Sequence, residues 1–246
     1  MSQLLKMQPS ASCVYIADTA NFPYGQKSHE HVIECVYPLV QKVKEKFDPR
    51  VIVLACNTIS VNALDTLRAK VPEVTFVGTV PAIKLAAFVS SKRRLGLLAT
   101  KATVENPYNL ELKEKFASDC ELICRGDPDL IQFVEEKSFT ATEEECLKAV
   151  QPAVEFFRSS NCDVIILGCT HFLNIKQYIE RAGAPDIKVV DSVDGVVRHA
   201  LEVAGRIQLK TTAPRLYVTK AAEKKEDNQY AGICASLGIA YKGQLA

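Results

Sequence analysis

Two stretches of this chain, VIVLACNT at 51–58 and VIILGCTH at 164–171, open on an unbroken apolar run and close on a cysteine and two polar residues. A strand that is apolar at every position has no face to give to water, so helices must cover both sides of its sheet. Similar runs recur as CVYIAD, VTFVGT, RLGLLAT, CELICR, IKVVDS and RLYVTK. Between them lie segments of helical spacing. In residues 28–47, Val32, Val36, Leu39, Val43 and Phe47 recur on one face. Ser28 is placed to cap that helix and Asp48-Pro49 to stop it. The pairs Thr140/Glu143 and Thr142/Glu145 both fit a capping box ahead of a helix running towards Phe157. Strands and helices that alternate in this way predict an α/β fold of parallel strands with right-handed crossovers.

Composition narrows the function. The net charge is +1, with no basic stripe for nucleic acid and no acidic arm. No apolar run approaches the roughly 18 residues of a membrane span, and the start, MSQLLKMQPSASC, has no signal-peptide pattern. A cytoplasmic location follows as the expectation. The cysteines number nine, an odd count scattered through apolar segments, as buried small hydrophobes would be. Cys120 and Cys124 have no second pair and the four histidines stand apart, so no metal site is expected.

The ends of the two matching strands carry more. A cysteine followed by Asn-Thr or Thr-His, then by a helix, falls at the carboxyl end of a parallel strand, where open α/β sheets place ligands. Two such ends predict two similar α/β domains facing each other across an active-site cleft. At a helix N-terminus the free N–H groups and partial charge favour thiolate and suit a carboxylate ligand. Each thiol alone fits a nucleophile, a redox group, a metal ligand or a buried structural cysteine. Presented as a pair, they fit a two-base reaction, one thiolate removing a proton from carbon while the opposite thiol delivers one to the other face.

DTANFPYG at 18–25, ACNT at 55–58 and LGCTHF at 167–172 resemble, in that order, the signatures of the aspartate/glutamate racemase family. LGLLATKATV and VVDS resemble its intervening strands. GCTH, with no acid after the threonine, looks more like the glutamate than the aspartate racemases. The resemblance implies cofactor-independent interconversion of L- and D-glutamate, with D-glutamate feeding peptidoglycan synthesis, and a homodimer. It implies Cys56 and Cys169 as the catalytic thiols, with His171 able to hydrogen-bond the second. Tyr24 and Gly25, Asn57 and Thr58, and Thr170 and His171 match the substrate-binding pairs. Glu135 lies where the family often carries an acid near the second cysteine, although a Glu-Glu pair is more often a solvated helix face. The implied domains are 1–80 with 190–246, and 81–189.

One family feature has no counterpart here. The resemblance implies an opening strand and an Asp-Ser-Gly turn whose aspartate assists the first cysteine, and nothing before Asp18 matches it. The expectation is therefore exposed strand edges in the first domain and weak or absent turnover. Two other classes stay open on the sequence: a hydrolase using one thiol with His171, and a racemase-like binding or regulatory protein.

Overall fold

The computed structural model describes residues 1–138, 140–205 and 212–246, and of Lys225 the backbone alone. Its strands are β1 (Val14–Ala17), β2 (Val51–Leu54), β3 (Thr75–Gly78), β4 (Arg94–Ala99), β5 (Glu121–Gly126), β6 (Val164–Leu167), β7 (Lys188–Val190), β8 (Arg215–Val218) and β9 (Ala240–Gln244). The helices are α1 (Ser2–Met7), α2 (His29–Phe47), α3 (Asn57–Lys70), α4 (Ile83–Val89), α5 (Lys101–Val104), α6 (Tyr108–Phe116), α7 (Pro128–Lys137), α8 (Glu143–Ser159), α9 (Lys176–Gly183), α10 (Val193–Ala204) and α11 (Lys224–Ser236). Every pairing among these strands is parallel. The sheets run β1-β8-β9, β2-β3 and β5-β4-β6-β7. Each apolar run read from the sequence became a strand. The unexpected one is β9, whose AYKGQ has no apolar run and whose pairing with β8 slips near Gly243, at φ 67°.

The chain divides into two compact units, Met1–Pro23 with Val197–Ala246, and Tyr24–Val196. These limits differ from those expected near 80 and 190. The β2-α3-β3 segment is tied to α5 within the second unit, chiefly through the hydroxyl of Thr58.

In the first unit, Thr219 at the end of β8 donates to Asp18 at the end of β1 (2.6 Å), and Asn21 holds the same carboxylate. Among the described residues β1 pairs with β8 alone, and Tyr15 is 37% exposed.

The second unit shows why its strands are apolar throughout. Successive side chains of a strand point to opposite faces. In β6, Ile165 and Leu167 pack with Val150, Val154 and Phe157 of α8, while Val164 and Ile166 pack with Ile83 and Ala86 of α4. Each such buried aliphatic side chain contributes about 1.5–3 kcal/mol. The Thr142/Glu145 capping box starts α8 as predicted; Thr140 forms none. Ser28 Oγ accepts from the His31 N–H to start α2, and Asp48 ends it in the left-handed region at φ 44°. The fully buried row of α2 is Val32, Val36 and Val40, with Leu39, Val43 and Phe47 half-buried beside it. Among the described residues β2 pairs only with β3, and its Val53 is 39% exposed, as expected of an open edge.

Candidate active site

The two matching stretches bring their cysteines to nearly the same backbone conformation. Cys56 precedes α3 at φ −144°, ψ 123°, and Cys169 precedes a 3₁₀ turn, Thr170–Ile175, at φ −138°, ψ 132°. Both are extended residues in the capping position of the helical segment that follows. Gly168 is required at the second turn, because a Cβ there would lie 2.7 Å from Leu97 Cδ1 and 3.0 Å from Ala99 Cβ.

The thiols are near enough for the charge of Cys169 to raise the pKa of Cys56. Burial is the larger cause, and together they push Cys56 up to about 11 against the lowering influence of N–H groups from Ile59 and Thr58 and of the Thr58 hydroxyl. This corrects the expectation that the helix N-terminus alone would favour thiolate there. The first-turn amides do pull in that direction, but loss of water outweighs them.

Cys169 is buried, with Sγ 3.1 Å from His171 Nδ1. His171 Nε2 meets the carboxylate of Glu135 on α7. Burial disfavours the imidazolium, but the bonds to Cys169 and Glu135 outweigh it and raise His171 to about 10. A doubly protonated ring donates through Nδ1 to sulfur and through Nε2 to carboxylate. Glu135 therefore does more than solvate a helix face.

Asn57 is buried at the first position of α3, and among the described residues its Nδ2 has no acceptor. An amide donor buried without a partner costs about 1–3 kcal/mol, so a site that retains one is matched to an incoming acceptor. Thr58 Oγ1 lies 3.0 Å from Thr100 Oγ1 and 3.2 Å from Thr103 Oγ1, which are 3.0 Å from each other. Gly25 backs this cluster, since a Cβ would come within 2.8 Å of Thr100 Cγ2. Tyr24 is buried against the α2–α3 core.

A small cleft is lined by Asn57, Thr79, Leu167, Cys169, Thr170, Leu173 and the run Asp191, Ser192, Val193. Asp191 accepts from Lys176 Nζ through Oδ2 (2.7 Å) and from the Val193 N–H through Oδ1 (2.8 Å). Lys176 also lies 3.6 Å from Glu180. Burial opposes the lysine charge, but Asp191 and Glu180 outweigh it and raise its pKa. Of the residues singled out from sequence, Asn57, Cys169 and Thr170 line the cleft. Cys56 lies within electrostatic reach of Cys169, Thr58 anchors the hydroxyl cluster, and His171 is bonded to the Cys169 thiol. Sequence reasoning missed Thr79, Thr100, Thr103, Asp191 and Ser192. Thr79, Thr100 and Asp191 directly follow β3, β4 and β7, so the carboxyl-end rule applied to every strand would have found them. Among the described residues no group of His, Cys, Asp or Glu is arranged to hold a metal, and no helix is long and apolar enough to cross a membrane.

Comparison with known proteins places these features in context. The Asp/Glu/Hydantoin racemase family matches residues 2–200. A glutamate racemase of Treponema pallidum (strain Nichols) is 39% identical over 238 residues, covering 96% of this chain and 88% of that protein. One from Actinobacillus pleuropneumoniae serotype 7 (strain AP76) is 39% identical over 207 residues, covering 83% and 76%. The crystal structure of Escherichia coli glutamate racemase, in complex with L-glutamate and the activator UDP-MurNAc-Ala, superposes with a TM-score of 0.86 at 27% identity. That match covers all of this chain and 92% of the other.

Proposed function

Because the chain belongs to the Asp/Glu/Hydantoin racemase family, we propose that it interconverts L- and D-glutamate by proton transfer at Cα between Cys56 and Cys169. One observation carries this reading: two cysteines, with the same backbone conformation at the ends of two parallel strands, lie within electrostatic reach of each other. A thiolate on one face of Cα takes its proton while the thiol on the other face supplies one, and the reverse reaction exchanges the roles. The raised pKa of Cys56 fits a thiol that starts as the acid. The raised pKa of His171 keeps a charged hydrogen-bond donor beside the second sulfur. Asn57 and Thr58, Thr170 and His171, and Tyr24 and Gly25 are the substrate-binding groups of this reading, which invokes no cofactor. It assigns Cys56 to a domain of 1–80 with 190–246 and Cys169 to one of 81–189, both thiols falling within the compact unit Tyr24–Val196, and extends to a cytoplasmic homodimer that supplies D-glutamate for peptidoglycan.

The test is incubation with D-glutamate in D₂O. Circular dichroism is expected to show inversion and proton NMR the replacement of the Cα proton by deuterium. A protein giving neither signal is not a racemase. The Cys169–His171–Glu135 relay also favours a second reading, a hydrolase with Cys169 as nucleophile. It requires an acyl-enzyme and makes Cys56 dispensable, so Cys56→Ser separates the two.

A further inference from the structure

We infer that Asp191 binds the ammonium group of the substrate and thereby restricts the site to diacids carrying an α-amino group. The inference rests on the proposed chemistry at Cα and adds a partner for the one charged substrate group that chemistry leaves unassigned. The ammonium of an amino acid is bonded to Cα. If a cysteine sulfur exchanges a proton with Cα, the group holding the ammonium must line the cavity beside that sulfur. Of the residues lining the cleft with Cys169, Asp191 alone is ionisable to an anion with oxygen acceptors. The neighbouring Asn57, Thr79, Thr170 and Ser192 are neutral, and the free Nδ2 of Asn57 suits a carboxylate rather than an ammonium. Glu135, the other acid near Cys169, is engaged by His171.

The surroundings of Asp191 leave it able to take a cation. Its side chain is 14% exposed, and the named donors, Lys176 and the Val193 N–H, fall on separate oxygens. An ionised carboxylate has about four acceptor positions, so each oxygen keeps capacity for another donor. Lys176 does not cancel the charge, because it is shared with Glu180; the trio of Asp191, Lys176 and Glu180 is net negative. Lys176 thus offsets part of the charge of a carboxylate residue that lines the cleft.

Calorimetric titration with glutamate and with glutarate, the same diacid without the amine, tests this. Native protein is expected to prefer glutamate. Asp191→Asn is expected to reduce that preference about tenfold or more, the share of a charge-assisted bond, while binding glutarate at least as well. Lys176→Met is expected to keep the preference; if Asp191 were merely structural, the two variants would behave alike. An Asp191→Asn protein with undiminished preference, or a native protein with none, overturns the inference. A native protein that binds neither ligand overturns the proposed function, and the inference with it. Should Asp191→Asn fail to fold, NMR of ¹⁵N-glutamate bound to native protein decides. A raised amine pKa supports a carboxylate partner, and an unchanged or lowered one refutes it.

Discussion

At the scale of single residues, burial competes with local donors, and the two cysteines have different partners. Cys56 has amides and a threonine hydroxyl but no cationic neighbour among its named partners, and its thiol stays protonated at neutral pH. Cys169 has an imidazole at 3.1 Å whose far side is held by Glu135. Cys56→Ser and Cys169→Ser are each expected to lower kcat for racemisation by roughly 10²-fold or more, measured by circular dichroism. Glu135→Gln removes one support of the imidazolium, so the alkaline limb of the kcat/KM profile moves to lower pH by about 1–3 units. The same pair has a stability consequence with a fixed sign. His171 is raised from 6.5 to about 10 in the folded protein. Its contribution is full below the unfolded value and is lost as pH rises through the folded one. Urea titrations of native protein and Glu135→Gln should therefore differ most near pH 6 and converge as the pH passes about 10.

At the scale of elements, strand ends depend on how closely chains approach. Gly168→Ala places a methyl group against Leu97 and Ala99, and overpacking of this kind costs about 1–3 kcal/mol. A lowered melting temperature, with displaced methyl resonances of Leu97, is the expected readout. Asp163, at the entry to β6, accepts from Ser90 Oγ, Ser91 N and Oγ, and Lys92 N. Asp163→Ala strands these donors and should cost about 3 kcal/mol in denaturant unfolding. The elements themselves were largely legible. Val51–Leu54 and Val164–Leu167 announce their strands because both faces are covered, and Ser28 and Thr142 announce helix starts because orphan N–H groups need acceptors. Ala240–Gln244 was not legible, since a short polar edge strand carries no periodicity of its own. The hydroxyl cluster of Thr58, Thr100 and Thr103 was only half legible: the turns are visible in the sequence, but which turns meet is decided by packing.

At the scale of the whole molecule, ligand binding and folding are linked. Anything that binds only the folded chain stabilises it, by about 2.7 kcal/mol at a hundredfold excess over Kd. Glutamate at that level is expected to raise the melting temperature by several degrees, at about 2–4 °C per kcal/mol for a chain of this size. Succinate, one methylene shorter than glutarate, should shift it less. The α/β class was legible from the doubly covered strands. The partition of the chain was less so, because contacts such as Thr58 to Thr100 join segments 42 residues apart and no change of composition marks them.

The unequal support behind two thiols of equal backbone geometry has a kinetic corollary. The enantiomers have the same free energy in water, so the equilibrium constant is unity and kcat/KM must be identical in the two directions. Nothing requires kcat itself to be equal. A site with a histidine on one side only is free to saturate at different concentrations of the two antipodes, its asymmetry compensated term by term between turnover and Michaelis constant.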